Sequence, residues 1–305
     1  MFDGLISQLV TPFRNGALDE KAFSSLVDWE IAEGVEGLVP CGAAGEAPTL
    51  TMAERERLIR LCVQTAGGRV PVIAGIVTSS TATAIEMARI AYHAGANAAL
   101  VVVPPYSRPS QEGLYRHFEG VANAVNLPII IGNEPDRCAV DLHPATVARL
   151  ARVPNIVGIK DQSGNMRRPG EIAALVSPDF VQLSGDDRTA LAFNAAGGCG
   201  CISDLANVAP GLCAELQLAW RSADGHKAYA LQRRLFPLAE AFALEPSPGP
   251  VKYALSLLRR MRNELRLPLI PVAAETAAKI SQAIDMVGPA QRACWDDSNL
   301  RVAQR

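Results

Sequence analysis

Residues 155–164 read Asn-Ile-Val-Gly-Ile-Lys-Asp-Gln-Ser-Gly, a short apolar run that ends in a polar turn. The run is rich in β-branched residues and has the length of a strand. Its apolar residues are continuous rather than alternating, which is typical of a strand covered on both faces and therefore of a parallel sheet. The one charged residue in the run, Lys160, lies at its carboxyl end.

Seven similar runs occur elsewhere in the chain, separated by roughly 20 to 35 residues, about the length of one βα unit. The eight predicted strands are residues 5–10, 37–40, 70–75, 98–103, 127–131, 155–160, 180–183 and 200–203. Amphipathic helices are predicted between them at residues 20–33, 51–66, 82–94, 111–124 and 143–151, and Thr51 with Glu54 forms a capping-box pair. Eight βα repeats favour an α/β fold of the closed (β/α)8 TIM-barrel type over a doubly wound sheet.

The pattern changes after residue 203. Four helices are predicted at residues 208–222, 227–244, 251–263 and 274–286, with proline-rich breaks at 245–250 and 267–271. The first of these helices completes the barrel. We therefore expect a (β/α)8 barrel over residues 1–222, a helical C-terminal domain over 223–290 that packs on the barrel, and a polar tail over 291–305.

The composition narrows the classes of function. About half of the 305 residues (49%) are apolar and 5% are aromatic, which suits an aliphatic barrel core. A net charge of −2 gives no reason to expect a nucleic acid or an anionic membrane as partner. No apolar run approaches the roughly 20 residues of a membrane span, and the N-terminus lacks the basic segment of a signal peptide. We expect a cytoplasmic protein.

The seven cysteines form an odd set without framework spacing, which indicates reduced thiols. Cys199 and Cys201 stand two residues apart, but no second Cys or His pair lies at the spacing of a zinc site. We predict no metal site and no cofactor.

Lys160 is the strongest candidate for chemistry, because residues at the carboxyl ends of barrel strands line the active site. Strand alternation predicts that Ile156, Gly158 and Lys160 share one face, where the small Gly158 would leave room for a ligand. The other lysines all lie in polar or helical contexts: Lys21, Lys227, Lys252 and Lys279.

A lysine at this position is partly desolvated, which favours the neutral amine that attacks a carbonyl carbon. The alternative is a structural lysine that forms a salt bridge with Asp161 or with an acid at the end of a neighbouring strand. The position of Lys160 alone does not decide between them.

Seven collinear segments resemble the dihydrodipicolinate synthase / N-acetylneuraminate lyase family, most closely its dihydrodipicolinate synthase branch. They are residues 42–46 (GAAGE), 106–115 (YSRPSQEGLY), 158–164 (GIKDQSG), 184–187 (SGDD), 197–203 (GGCGCIS), 206–209 (ANVA) and 245–252 (EPSPGPVK). The resemblance implies a barrel with a helical C-terminal domain, a homotetramer assembled as a dimer of dimers, and class I aldolase chemistry. It makes Lys160 the lysine that forms a Schiff base with pyruvate or a related 2-keto acid.

The resemblance also implies the roles of other residues. The keto-acid carboxylate is held by the backbone N–H groups of Ala43 and Ala44, which form a nest suited to an anion. Arg137 matches the arginine that grips the carboxylate of aspartate semialdehyde, and its alternative is a solvated loop arginine. Further positions that line the pocket in lyase relatives, each of which has an equally good structural explanation, are Asp186, Cys201, Ser203, Gln162 and Asp187.

Two of the three members of the family's proton relay are missing. Ala43 and Ala44 stand where the family has two threonines, and Gly132 stands where it has a tyrosine. Tyr106, which matches the tyrosine lent by a neighbouring subunit, is retained. General acid–base catalysis contributes typically about 10²–10⁴-fold to a rate, so loss of the relay without replacement would nearly silence synthase activity.

Glu134 offers a replacement, because it lies two residues beyond Gly132 and should also point into the mouth of the barrel. We hypothesise that Glu134 takes over proton transfer. The alternative is a charge at the mouth that pairs with Arg137 or Lys160.

The lysine-feedback site of some synthases is not retained. None of the matching residues is an acid that could pair with a lysine ammonium, and we expect no inhibition by lysine. These residues are Ala47, Pro48, Met52, Arg55, Ser79, Thr83 and Pro105.

Three functions remain open from the sequence. The first is a Schiff-base lyase or synthase that acts on pyruvate and a small aldehyde. The second keeps the Schiff base but dehydrates or deaminates a 2-keto-3-deoxy acid or a cyclic imine acid, and the loss of the relay favours it somewhat over dihydrodipicolinate synthesis. The third is a non-catalytic paralogue that binds a keto acid.

Overall fold

The computed structural model describes residues 2–288 and contains a closed barrel of eight parallel strands. The barrel strands are β1 (Gly4–Ser7), β4 (Gly37–Leu38), β5 (Ile73–Ile76), β6 (Ala98–Val102), β7 (Ile129–Asn133), β8 (Ile156–Asp161), β9 (Val181–Ser184) and β10 (Gly200–Ser203), and a hairpin of β2 (Phe13–Arg14) and β3 (Ala17–Leu18) lies outside it. The order around the barrel is β4-β1-β10-β9-β8-β7-β6-β5, and a parallel bridge between Leu38 and Val72 closes the ring. The predicted TIM barrel is confirmed.

The helices follow the strands as the βα pattern requires. They are α1 (Glu20–Ala32), α2 (Met52–Ala66), α3 (Thr81–His93), α4 (Gln111–Ala124), α5 (Pro135–Cys138), α6 (Pro144–Leu150), α7 (Arg168–Ala173), α8 (Ala190–Ala195) and α9 (Pro210–Arg221). The capping box at Thr51 and Glu54 is present. The sequence patterns missed α5, α7 and α8, because one or two turns are too short to show a helical period.

The core has two layers, which explains why the strands are apolar on both faces. Side chains that point into the lumen form one cluster: Ile6, Val39, Ile73, Ala98, Leu100, Ile130, Val181, Leu183 and Ile202. The alternate strand residues, such as Leu5 and Ile131, belong to a larger cluster packed under the helices. The lumen is therefore filled with aliphatic side chains, and open space is found only at its mouth.

The face prediction for β8 was wrong in part. Its register with β7 shifts between Ile129 and Ile130, so that Ile130 pairs with Gly158 and the Val157 position is skipped. Ile156 therefore packs in the outer cluster, whereas Val157 packs against the lumen cluster. A bulge of this kind redirects the side chains that follow it.

Gly158 does not leave room for a ligand. A Cβ atom at this position would lie 2.6 Å from the carbonyl oxygen of Val181 and 2.7 Å from its Cβ. Glycine is needed here because β9 approaches closely.

Three helices follow the barrel: α10 (Gly225–Phe242), α11 (Gly249–Leu257) and α12 (Ala274–Val287). Helix α10 packs against α9 and α12. Helix α11 ends well before the predicted residue 263, since Arg259 adopts a left-handed φ of 55° that no helix continues through. Within residues 2–288, no helix combines the length and apolar character that crossing a membrane requires. The boundary near residue 222 stays a prediction, and the tail 291–305 lies outside the described residues.

Candidate active site

Lys160 lies at the carboxyl end of β8 with only 2% of its surface exposed. Its Nζ donates to Glu134 Oε1 at 2.7 Å and to Gln8 Oε1 at 3.0 Å. A Cβ atom on Gly185 would lie 2.6 Å from Lys160 Cε, so glycine at that position makes space for the lysine side chain. An ammonium has three N–H donors, and two of those on Lys160 have protein acceptors among the described residues.

Asp161 does not pair with Lys160. Its Oδ1 accepts from Asn133 at 2.8 Å, its Oδ2 accepts from Ser163 at 2.8 Å, and Arg168 lies 3.6 Å away. The salt bridge that the sequence left open is instead made with Glu134, the residue that directly follows β7. Lys160 is therefore held by an acid from the neighbouring strand.

Glu134 is 3% exposed and lies immediately before α5. Burial by itself raises the pKa of a carboxyl group, but the charge and hydrogen bond of Lys160, with a smaller contribution from Arg137, hold the pKa of Glu134 below its usual value. Arg137 Nε lies 3.9 Å from Glu134 Oε2. The environment thus favours the carboxylate form of Glu134, and transfer of one proton from a Lys160 ammonium to it would neutralise both groups.

Two cavities meet at Arg137, and one of them reaches Glu134. An apolar cavity of about 280 Å³ reaches Glu134 and Arg137, and its other walls are mainly Ala43, Pro48, Val77, Val102, Pro105 and Leu269. A polar cavity of about 510 Å³ passes Gly185, and it is lined mainly by Arg137, Gln162, Asp186, Arg188, Asp204 and Ser247. Arg137 lines both cavities, and its side chain is 41% exposed. The space at the mouth can therefore receive a small anionic molecule.

The loop at residues 42–46 lies on the apolar side of the site. The N–H groups of Gly45 and Glu46 donate within the loop, to the carbonyl oxygens of Gly42 and Ala43. Among the described residues, the N–H groups of Ala43 and Ala44 have no acceptor. Ala43 lines the apolar cavity, whereas Ala44 is fully buried.

Tyr106 lies in a different environment from the buried residues around Lys160. Its side chain is 95% exposed on the loop after β6, where its backbone has a φ of 72°. The structure of one chain does not bring it to Lys160.

The structure contradicts the pocket positions proposed for Cys201 and Ser203. Ile202 points into the lumen, so both neighbours point outwards from β10. Ser203 donates to Asp187 at 2.5 Å, and Asp187 also accepts from the N–H groups of Asp204 and Leu205. These residues fasten β10 to the loop after β9.

Asp186 does line the polar cavity, but its carboxylate is bound by Arg188 at 2.7 Å.

Two residues that the sequence patterns missed lie closer to the chemistry. Gln8 accepts from Lys160, and Asp204 lines the polar cavity with its carboxylate bound by Ser247 at 2.8 Å. Both directly follow barrel strands, and that position was the signal by which to find them.

Comparisons with known proteins identify the family of the chain. The model of the dihydrodipicolinate synthetase family matches residues 1–287. The chain belongs to this family. Proteins named 4-hydroxy-tetrahydrodipicolinate synthase are similar along nearly their whole length: that of Chelativorans sp. (strain BNC1) is 55% identical over 290 residues, which cover 94% of this chain and 99% of the relative. That of Rhodospirillum centenum is 52% identical over 288 residues, with 94% and 99% covered.

A solved structure extends the similarity to three dimensions. The dihydrodipicolinate synthase of Acinetobacter baumannii, determined in complex with pyruvate, aligns with a TM-score of 0.92 and 38% identity, over 94% of this chain and 99% of that one. As a member of the dihydrodipicolinate synthetase family, the chain is a lyase of the class I aldolase type. Among residues 2–288, no group of His, Cys, Asp or Glu side chains is arranged to hold a metal ion.

Proposed function

We propose that this enzyme is a dihydrodipicolinate synthase-like lyase in which Lys160 forms a Schiff base with pyruvate or another 2-keto acid. The observation that carries the proposal is the buried Lys160 amine at the end of a barrel strand, placed 2.7 Å from a carboxylate that lines the apolar cavity at the mouth. The solved relative from Acinetobacter baumannii, determined in complex with pyruvate, supports pyruvate as the keto acid.

The first step uses the ion pair. Lys160 gives one proton to Glu134, and the neutral amine attacks the ketone carbon of the keto acid. The resulting carbinolamine loses its hydroxyl group as water, with a proton from the same carboxyl group, and an iminium remains. The carboxyl group therefore needs to sit within hydrogen-bond reach of Nζ, as it does here.

The second step needs a base at the neighbouring carbon. Glu134 is the acid nearest to Lys160, and the family tyrosine and threonines are absent. We infer that Glu134 removes the proton that turns the iminium into the enamine. Ala43 and Ala44 hold the keto-acid carboxylate through their N–H groups, and Arg137 holds a second carboxylate.

The same site suits a second reaction. If Glu134 replaces the relay, elimination of water or ammonia from a 2-keto-3-deoxy acid or a cyclic imine acid needs no second aldehyde substrate. The polar cavity beside Lys160, lined by Asp204 and Gln162, has room for the distal part of such an acid. This dehydratase or deaminase is the alternative to the synthase, and a non-catalytic keto-acid-binding paralogue is the alternative of another class.

We also propose a homotetramer in the cytoplasm, assembled as a dimer of dimers. The 95% exposed side chain of Tyr106 supports the oligomer, since it is open to contact with a neighbouring subunit. A solved relative described as a monomeric variant shows that the family also contains monomers. Sedimentation of the purified chain measures its state directly.

Borohydride trapping tests the proposal. The enzyme is mixed with pyruvate or a panel of 2-keto acids, reduced with borohydride, digested and examined by mass spectrometry. We expect an adduct on Lys160 with at least one keto acid, and the absence of any adduct would reject the Schiff base. Pyruvate and ammonia assays on the same panel separate synthase, dehydratase and deaminase, and a chain that is trapped but turns over nothing is a binding paralogue.

A further inference from the structure

Lys252 in α11 forms a second buried ion pair, with Glu46 at the end of the 42–46 loop. Lys252 is 0% exposed and Glu46 is 1% exposed. Lys252 Nζ also donates to the carbonyl oxygen of Glu264 at 2.8 Å and lies 4.3 Å from the centre of the Phe13 ring. Burial lowers the pKa of Lys252 to about 8, although Glu46 acts in the opposite direction.

A buried ion pair is a poor way to add stability alone. Removing two charges from water costs several kcal/mol for each ion, and replacing such a pair with apolar residues is often neutral or stabilising. The sequence patterns missed this pair, because Lys252 is an ordinary helical lysine in its local context. Its retention at full burial therefore calls for a structural task that charge performs.

The backbone around Glu46 indicates that task. Glu46 has a φ of 52° and Cys41 a φ of 58°, so left-handed residues other than glycine lie at both ends of the loop. Such conformations cost roughly 1–2 kcal/mol each and persist only where surrounding contacts hold them. Glu46 is held by its side chain: Oε1 pairs with Lys252, and Oε2 accepts from the backbone N–H of Arg266 at 3.0 Å.

Between these two residues lie the free N–H groups of Ala43 and Ala44. Both residues are alanines, so at these positions the loop presents only backbone N–H groups to an anion. The direction of a backbone N–H is fixed by the loop and cannot be adjusted by a side-chain rotation. The shape of the loop therefore sets how these N–H groups meet an anion.

We propose that Lys252, through its ion pair with Glu46, positions the 42–45 loop so that the C-terminal helices set the affinity of the site for the keto-acid carboxylate. This inference rests on the proposed function, which gives the loop its ligand. Lys252 is a positioning residue: it acts through Glu46 and does not touch the substrate.

The test uses the variants Lys252→Met and Lys252→Met/Glu46→Gln in the full chain, with pyruvate as the probe. The single variant leaves a buried carboxylate unpaired and is expected to lose stability. The double variant buries no charge and is expected to recover the melting temperature. In both, we expect the pyruvate concentration for half-maximal adduct formation on Lys160 to rise about tenfold, while the rate at saturation changes less than about twofold.

The control is the exposed pair Lys279 and Glu275 on α12, joined at 2.8 Å. The variant Lys279→Met/Glu275→Gln should leave the pyruvate concentration for half-maximal adduct formation and the rate at saturation unchanged. Suppose that the double variant at Lys252 and Glu46 has both the wild-type melting temperature and the wild-type pyruvate concentration for half-maximal adduct formation. The pair then acts through stability alone, and the positioning role is overturned.

A second measurement keeps the two proposals apart. If the wild-type enzyme forms no adduct with any keto acid, the proposed function fails. Amide hydrogen exchange at Ala43 and Ala44 then tests the loop itself. Faster exchange in the double variant than in the wild type supports the positioning role, and equal exchange contradicts it.

Discussion

Lys160 and Lys252 are both buried lysines paired with a glutamate, but their surroundings differ. Lys252 Nζ forms an ion pair with Glu46, donates to the Glu264 carbonyl and makes a cation–π contact with the Phe13 ring. Lys160 has two acceptors, lies beside Gly185, and is paired with a carboxylate that lines a cavity. Burial and an acidic partner therefore do not distinguish a reactive lysine from a structural one. Glu46 lines the apolar cavity as Glu134 does, so the difference is one of position: Lys160 ends a barrel strand at the mouth, whereas Lys252 lies on helix α11.

The largest expected effect comes from removing the reactive amine. Lys160→Arg keeps a positive charge beside Glu134 but cannot form a Schiff base. We expect no borohydride-trapped adduct and a fall in kcat/KM of at least about 10³-fold. Lys252→Met should still form the adduct on Lys160 at saturating pyruvate. An adduct found on Lys252 would show that this lysine is also reactive and would contradict the distinction between the two.

The next effect tests the partner of Lys160. Glu134→Gln keeps the shape of the side chain and removes its ability to take a proton. We expect kcat to fall by about 10²–10⁴-fold, measured with the keto acid that gives the wild-type adduct. An enzyme that is folded and turns over at the wild-type rate would show that Glu134 serves only as a counterion.

A third buried glutamate sharpens the comparison, because no lysine pairs with it among residues 2–288. Glu30 in α1 is 0% exposed, and burial raises its pKa to about 8. The folded state therefore binds this proton more tightly than the unfolded state does. Stability from this group is complete below about pH 4.5 and is lost as the pH rises to about 8.

The slope from one such group is at most about 1.4 kcal/mol per pH unit. At pH 5 the free energy of unfolding of Glu30→Gln should differ from that of the wild type by some fixed amount. Relative to that difference, the variant should become progressively more stable than the wild type as the pH rises towards 8. Urea unfolding at several pH values measures the difference. Parallel curves for the two proteins would mean that Glu30 is not protonated when folded.

The smallest expected effect is that of free lysine on activity, where we expect no change. By the resemblance, Arg55 matches a position of the lysine-feedback site of some synthases, and its guanidinium donates to the backbone carbonyl groups of Ala47 and Leu50. A cation at this position repels a lysine ammonium. Lysine should not lower activity in a titration of the active enzyme, and inhibition at sub-millimolar concentration would disprove this.

Sequence patterns located most of the fold but only part of the site. The eight strands and the long helices were predictable, because apolar runs and helical periods are local properties of the chain. Lys160 was also predictable from its place at a strand end. The alternation of side chains along β10 is consistent with Cys201 and Ser203 pointing outwards, but the resemblance suggested pocket positions for them.

The sequence by itself determined the barrel and the lysine at the mouth, since both depend on the order of apolar and polar residues along single strands. Only the tertiary structure decided that Glu134 meets Lys160, that Lys252 is buried against Glu46, and that β8 bulges at Val157. These contacts join residues that are far apart in the chain or in different strands. They depend on strand register and on how helices pack over the barrel, which no local pattern records.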